Sequence, residues 1–202
     1  MRLIVLALAA MLLCACSSPS VPDVTYFRLP PPQALPHADK PLSLLPIEVE
    51  GFTGDGIYAE QAMLYATTPD ASSLRAYHYQ VWSEPPSQGL QARLVELLRE
   101  SGIAPLVTDR LPASTPALRI HGQIVRYERI KRDSGFVVAV SLRLRVDQDQ
   151  GEPVLEKTYS AEKAAGDINI EASVSAFAAA IDQVFATFYA DLAALERGGH
   201  AG

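Results

Sequence analysis

The chain has 202 residues, of which 49% are hydrophobic and 20% are charged, and its formal net charge is −6 at pH 7. This length suits one globular domain that buries about 70% of its unfolded surface, and it is too short for two large domains. The acidic balance disfavours a nucleic-acid partner, and the ordinary apolar content disfavours intrinsic disorder.

The N-terminus has the charge and length of a secretory leader. Arg2 supplies a positive charge, and residues 3–13 form an unbroken apolar run. At about 1.5 Å per residue this run spans about half of a bilayer core, so it is interpreted as a signal sequence and not as a membrane span. The predicted leader is residues 1–15.

The leader ends at a cysteine with a small residue directly before it. Ala15 precedes Cys16, and Leu13 lies three positions before Cys16. This pattern resembles the lipobox of bacterial lipoproteins, which implies cleavage before Cys16 and attachment of a diacylglycerol and an N-acyl chain. Cys14 fits less well because bulky Leu13 would take the small-residue position. Ser17 follows, and the sorting rule of many Gram-negative lipoproteins then implies the periplasmic face of the outer membrane.

Both cysteines of the chain lie in this N-terminal segment. The rest of the chain therefore cannot form an internal disulfide, and the remaining thiol is free unless it carries lipid. A plain cysteine behind a plain signal peptide is the alternative interpretation.

The first half of the mature chain predicts short strands and loops behind a lipidated tether, residues 16–23. Strands are predicted over residues 24–29, 44–50, 63–67 and 75–82. The proline-rich residues 30–43 cannot maintain a regular ladder and predict an extended connection, because proline lacks the N–H group. The third and fourth strands predict a hairpin around Pro69 and Asp70.

A helical period begins after residues 83–86. Leucines 90, 94, 97 and 98 form one apolar stripe, and Gly102 is a natural C-terminal cap. Strands are then predicted over residues 103–107, 118–130, 135–146 and 153–159. A closing amphipathic helix is predicted over residues 174–195, before a flexible tail at 198–202.

Strands, helix, strands and helix follow each other within residues 24–197, which predicts a single domain. Each helix has one apolar face to cover, and a sheet with alternating strands offers a matching surface. The predicted fold class is α/β: a two-layer sandwich with a mostly antiparallel sheet and two helices packed on one face.

Five sequence features follow one another in the order of a known family. They are the lipobox, Tyr26-Phe27-Arg28-Leu29, Ile47-Glu48-Val49, Trp82-Ser83-Glu84-Pro85 and the closing alanine-rich helix. In this order they resemble the ABC-type transport auxiliary lipoproteins, the group that includes PqiC-like outer-membrane lipoproteins. The departures are Phe27 in place of a second tyrosine and a glycine-rich loop at residues 51–56.

The resemblance implies a component of an envelope transport system that has no enzymatic activity. Such lipoproteins act with an inner-membrane ABC transporter or with MCE-domain proteins that carry phospholipids across the periplasm. The chain would be the docking partner at the outer membrane. A homo-oligomer that matches a multimeric partner is left open.

The residues offer no recognisable catalytic or metal-binding pattern. His78 and His121 fall in predicted strands, and neither an HxxxH nor a CxxC spacing occurs. The chain also has no GxSxG elbow. We therefore expect no enzyme activity, no metal and no cofactor beyond the lipid on Cys16.

Two groups of side chains are candidate contacts for a partner or a lipid headgroup. The first is aromatic, because Tyr and Trp are common interface anchors. The second is basic and lies at a predicted hairpin tip, where it could contact lipid phosphates or an acidic partner. The candidates are Tyr26, Phe27, Trp82, Arg126, Arg129, Lys131 and Arg132.

Two other function classes are left open. A structural or assembly lipoprotein would support an outer-membrane barrel protein and co-purify with it. A periplasmic hydrolase would need a nucleophile pair in a cleft, and the sequence shows none. A direct lipid carrier is also left open, since an apolar pocket cannot be distinguished from an ordinary core by pattern alone.

Overall fold

The computed structural model describes residues 22–148 and 153–199. Those residues form nine strands, two α-helices and one short 3-10 helix. The predictions for the leader, for Cys16, for most of the tether and for residues 200–202 of the tail lie outside the described part of the chain.

The strands and helices are numbered here in chain order. The strands are β1 (Thr25–Phe27), β2 (Ile47–Val49), β3 (Thr53–Gly54), β4 (Ala62–Ala66), β5 (Leu74–Trp82), β6 (Val107–Thr108), β7 (Leu118–Arg132), β8 (Gly135–Gln148) and β9 (Pro153–Ala164). The helices are α1 (Pro86–Ser101) and α2 (Ile170–Gly199), and the 3-10 helix covers Gly56–Ala59.

The long strand β7 organises the sheet. Along one edge it pairs with β8 over its whole length, and β8 pairs in turn with β9, both antiparallel. Its other edge is covered in sections by β2, β3 and β4, and all three run parallel to it. From β4 the sheet continues through β5 to β1, and from β2 it continues to β6.

The predicted sheet was wrong in one respect, since the sheet is mixed and not mostly antiparallel. The pairs β4–β5, β7–β8 and β8–β9 are antiparallel, as expected for strands that follow each other closely along the chain. The pairs β1–β5, β2–β6, β2–β7, β3–β7 and β4–β7 are parallel. These pairs join strands that are separated by long connections, so no turn sets their direction. The α/β class is confirmed, and the two-layer arrangement stays a prediction.

Local chemistry sets the ends of both helices. Pro86 opens α1 at a position where its missing N–H is not needed, and Gly102 closes it in a left-handed conformation with φ 67°. At the start of α2, the Asn169 Oδ1 accepts a hydrogen bond from the Ala172 N–H at 2.7 Å. The helix α2 begins four residues earlier than predicted and continues to Gly199.

Both helices bury their apolar faces in one core cluster with the sheet. Phe177, Phe185 and Phe188 of α2 are among its fully buried side chains. Among the described helices, residues Ile170–Leu195 are long and apolar enough to cross a membrane, but half of that stretch is buried inside the fold. The packing of its phenylalanines identifies α2 as the core helix of the domain.

Candidate functional site

A cleft of about 600 Å³ opens between the first strand and helix α1. One wall is the extended segment 27–32, and the opposite wall is the face of α1 that carries Gly89, Ala92, Arg93 and Glu96. These four positions are spaced as neighbours on one helical face. Trp82 and Tyr127 lie beneath them, so the cleft reaches the aromatic part of the core.

Small residues on α1 leave room for the cleft and for its acidic edge. Gly89 faces Glu84, and a Cβ at position 89 would lie 3.3 Å from Glu84 Oε1. Glu84 and Glu96 are both exposed, and so is Arg28 on the other wall. The mouth of the cleft therefore carries two carboxylates and one guanidinium.

A buried ion pair holds the two walls in place. Arg93 is 6% exposed, and its Nε and Nη2 donate to Asp182 Oδ1 of α2 at 3.1 and 2.7 Å. Its Nη1 donates to the Pro30 carbonyl oxygen at 2.7 Å. Asp182 Oδ2 accepts a hydrogen bond from the Gln33 N–H at 3.2 Å. One pair thus ties α1, α2 and the proline segment together, and the charge of Arg93 is neutralised within the fold.

The floor of the cleft is aromatic and carries two polar hydrogens. Trp82 is 4% exposed and Tyr127 is 3% exposed, and both pack on Phe177 with ring centroids 5.1 and 4.6 Å away. Within the described residues, neither the Trp82 indole N–H nor the Tyr127 hydroxyl has a hydrogen-bond partner. Burial raises the pKa of Tyr127 well above its usual value, against the opposing effect of the Arg93 charge. The phenol is therefore a neutral donor at any physiological pH.

The structure brings together part of the predicted aromatic group. Phe27 and Trp82 both line the cleft, and Phe27 ends β1 directly opposite Trp82 of β5. Tyr26 is 65% exposed on the same strand.

The predicted basic group is divided between two faces of the sheet. Arg126 pairs with Glu128 at 2.8 Å and with Glu162 at 3.7 Å, and Arg132 approaches the same Glu162 at 3.8 Å. Lys131 is exposed. These three remain candidate contacts at the surface, although two of them already share carboxylates.

Arg129 belongs to the core and not to this surface, because it is 2% exposed. Its Nε donates to Ser173 Oγ at 2.7 Å and its Nη1 to the Tyr77 hydroxyl at 2.6 Å, while Nη2 donates to the Ile168 carbonyl. The guanidinium also lies 3.5 Å from the centre of the Phe136 ring. Arg129 therefore joins β7, β5 and the start of α2, and it is not available to an external headgroup.

Among the residues that sequence reasoning missed are Arg93 and Tyr127, which line the cleft, and Asp182, which pairs with Arg93. Arg93 offered a signal, because a basic residue stands directly beside leucines 90, 94 and 97 of the apolar stripe. Asp182 likewise follows Ile181 at the border of the stripe of α2. A charge at such a position predicts a buried partner, although the partner itself lies 89 residues away along the chain.

No group of three or more metal-ligating side chains occurs among residues 22–148 and 153–199. His121 lies between two carboxylates, with Nδ1 3.2 Å from Glu50 and Nε2 3.1 Å from Asp147. His78 is exposed on β5.

One protein-family model matches residues 29–187, which include most of the cleft lining, all of α1, the larger part of α2 and every described strand except β1. That family is described as the ABC-type transport auxiliary lipoprotein component. The chain belongs to this family. The family predicted from the sequence motifs is thereby confirmed. The chain is accordingly an auxiliary lipoprotein of an ABC-type transport system. No curated protein matches the chain.

Solved structures share the fold of this family member. A Xanthomonas campestris protein of the DUF330 family aligns with a TM-score of 0.76 and 16% identity, over 88% of this chain and all of that chain. A hypothetical protein of Chlamydia trachomatis aligns with a TM-score of 0.53 and 8% identity, over 76% of this chain and 98% of its own. At these identities the likeness concerns the fold alone.

Proposed function

We propose that this family member is the lipid-anchored docking component of an envelope ABC or MCE transport system. In this proposal Cys16 carries the lipid and holds the domain at the periplasmic face of the outer membrane. The transported material is phospholipid moving between the two membranes. The chain binds other proteins of the system and catalyses no reaction.

The family match across residues 29–187 is the observation that carries this proposal. The cleft adds a physical reason to expect a binding role. It is concave, it is held by the buried Arg93–Asp182 pair, and it is lined by aromatic and charged groups beside β1, the first strand after Cys16 in the sequence. Such a preformed concave surface suits recognition of a partner with little reorganisation.

The test is recovery of the full-length lipidated protein from cross-linked native envelopes, followed by identification of the proteins attached to it. The expected result is an MCE-domain protein or a subunit of an inner-membrane ABC transporter. A Cys16→Ala variant, in which no lipid can be attached, serves as the control for anchoring. It should leave the membrane fraction and lose the partner.

Recovery of an outer-membrane barrel protein alone would overturn the transport proposal and support an assembly role. Mass measurement of the intact protein tests the anchor separately, because the diacylglycerol and the N-acyl chain add mass to the residue that follows the cleaved leader. An unmodified mass would refute lipidation at Cys16 whichever protein is recovered.

A further inference from the structure

The first strand leaves one of its edges without a partner in the described chain. β1 is the terminal strand of the sheet path, and it pairs with β5 on one side only. The Phe27 carbonyl accepts a hydrogen bond from the Ser83 N–H at 2.8 Å, so the backbone groups of Phe27 point toward β5. Since alternate residues of a strand direct these groups to opposite edges, the N–H and C=O of Tyr26 point to the free edge. A free edge of this kind can pair with an added strand.

The cleft begins where this edge ends. Phe27 is both the last residue of β1 and part of the cleft wall, so the free edge at Tyr26 lies one residue from the cleft. Inside, the indole N–H of Trp82 and the hydroxyl of Tyr127 are donors that have no partner among the described residues. Both side chains are more than nine-tenths buried, but neither polar atom is itself fully buried, so both donors can be reached from the cleft.

The charged groups of the cleft indicate what kind of ligand it would bind. The guanidinium of Arg93 is already neutralised by Asp182, so the floor offers neutral donors that suit an uncharged acceptor such as a peptide carbonyl. The mouth carries two exposed carboxylates, Glu84 and Glu96, against the one exposed guanidinium of Arg28, so its net charge is negative and suits a cationic side chain. A free strand edge, neutral donors and an acidic mouth together fit an extended peptide that carries Lys or Arg.

We infer that the edge of β1 and the cleft beside it form one docking site for an extended basic segment of a partner protein. The segment adds a strand to β1 through the backbone of Tyr26. One of its carbonyl groups accepts hydrogen bonds from Trp82 and Tyr127, and its cationic side chain pairs with Glu84 and Glu96. This inference rests on the proposed docking function and names the site and the partner chemistry.

The chain contains a single tryptophan, Trp82, which gives the cleft its own spectroscopic signal. The full-length lipidated protein is labelled with 5-fluorotryptophan, so that one fluorine resonance reports on the floor of the cleft. The probes are short overlapping peptides that cover the soluble segments of whichever protein co-purifies from cross-linked envelopes. Dihexanoyl phosphatidylethanolamine is titrated in parallel as the lipid-headgroup probe.

Three variants separate the parts of the site. Tyr26→Pro removes the N–H at the free edge, where proline is tolerated because that group does not pair with β5. Tyr26→Ala is its matched control, since it loses the same side chain and keeps the N–H. The double variant Glu84→Gln/Glu96→Gln removes both charges at the mouth and keeps the size of the side chains. The thermal unfolding midpoint of each variant shows whether the fold is kept.

The expected result is that a peptide with Lys or Arg shifts the fluorine resonance and that its acidic counterparts do not. Affinity should fall about tenfold in Tyr26→Pro and in the charge variant, and by less than about twofold in Tyr26→Ala. The inference is overturned if no peptide shifts the resonance, if Tyr26→Pro binds as Tyr26→Ala does, or if the lipid alone causes the shift. If the intact partner still binds while no peptide does, the docking function is retained and the proposed binding site is refuted.

Discussion

The pair between Arg93 and Asp182 is expected to hold the cleft open and to stabilise the whole domain. Replacing Arg93 with leucine leaves the Asp182 carboxylate largely buried, with the Gln33 N–H as its remaining partner. Removal of one member of a buried pair costs about 3–5 kcal/mol, because the other charge stays in a poorly solvated position. With a slope of about 2 kcal/mol per molar urea, this loss lowers the urea midpoint of unfolding by about 2 M.

The companion variant Arg93→Leu/Asp182→Leu removes both charges. Its stability should lie within about 1 kcal/mol of the native protein, because apolar replacements of both partners are often neutral. The carbonyl of Pro30 loses its donor in both variants but lies at an exposed residue, where water can replace it. Urea unfolding followed by circular dichroism measures both effects. Equal losses in the single and double variants would refute the interpretation that the unpaired Asp182 charge causes the damage.

Hydrogen exchange gives an independent check on the same contact. The Gln33 amide donates to Asp182 Oδ2, so its protection from exchange should fall in Asp182→Leu and in the double variant. It should persist in Arg93→Leu, where the acceptor remains. Protection that persists in all three variants would show that the segment is held by other contacts.

Three further predictions concern the core and the second helix. Arg129→Met should cost about 2–4 kcal/mol, because it leaves the buried Ser173 Oγ and the half-buried Tyr77 hydroxyl without their donor. A native-like urea midpoint would contradict that role. Gly122→Ala places a Cβ 2.5 Å from the Phe52 ring and should lower the free energy of unfolding by about 1–3 kcal/mol. Adding Phe52→Leu should restore part of this loss. If the effects of the two substitutions simply add, the loss does not come from a clash with Phe52. The pKa of Asp191 lies below its ordinary value of 3.8, chiefly because Lys157 donates a hydrogen bond to it. Its contribution to stability is therefore present above pH 3.8 and is lost as the pH falls through the lower value of the folded state. The difference in the free energy of unfolding between the native protein and Asp191→Asn should therefore disappear as the pH falls through that range. A difference that persists at the lowest pH would refute this role of the Asp191 carboxylate.

Local patterns predicted most of the regular elements. The apolar stripes of α1 and α2, the turn at Pro69 and Asp70 and the alternation in β8 all depend on neighbours within a few residues. Such signals remain visible in a single sequence because the periods of helix and strand are short. The two very short strands β3 and β6 carry too few residues to show a period, and β3 was missed.

The status of Arg129 shows where a local pattern fails. Strict alternation from Ile120 and Ile124 would place residues 126 and 128 on the core face and Arg129 on the outer face. A bulge at Val125 inserts one extra residue into β7, since Ile124 faces Leu142 while Arg126 faces Ser141. The faces exchange at that point, so Tyr127 and Arg129 turn into the core.

The sequence by itself determined the two helices, the hairpins, the order of family motifs and the predicted lipid attachment at Cys16. Each depends on residues that are close together along the chain. Only the tertiary structure decided that β2, β3 and β4 run parallel to β7, that Arg93 meets Asp182, and that the end of β1 lines the cleft. Those features join residues that are distant in sequence, and their geometry follows from the packing of the whole core around β7.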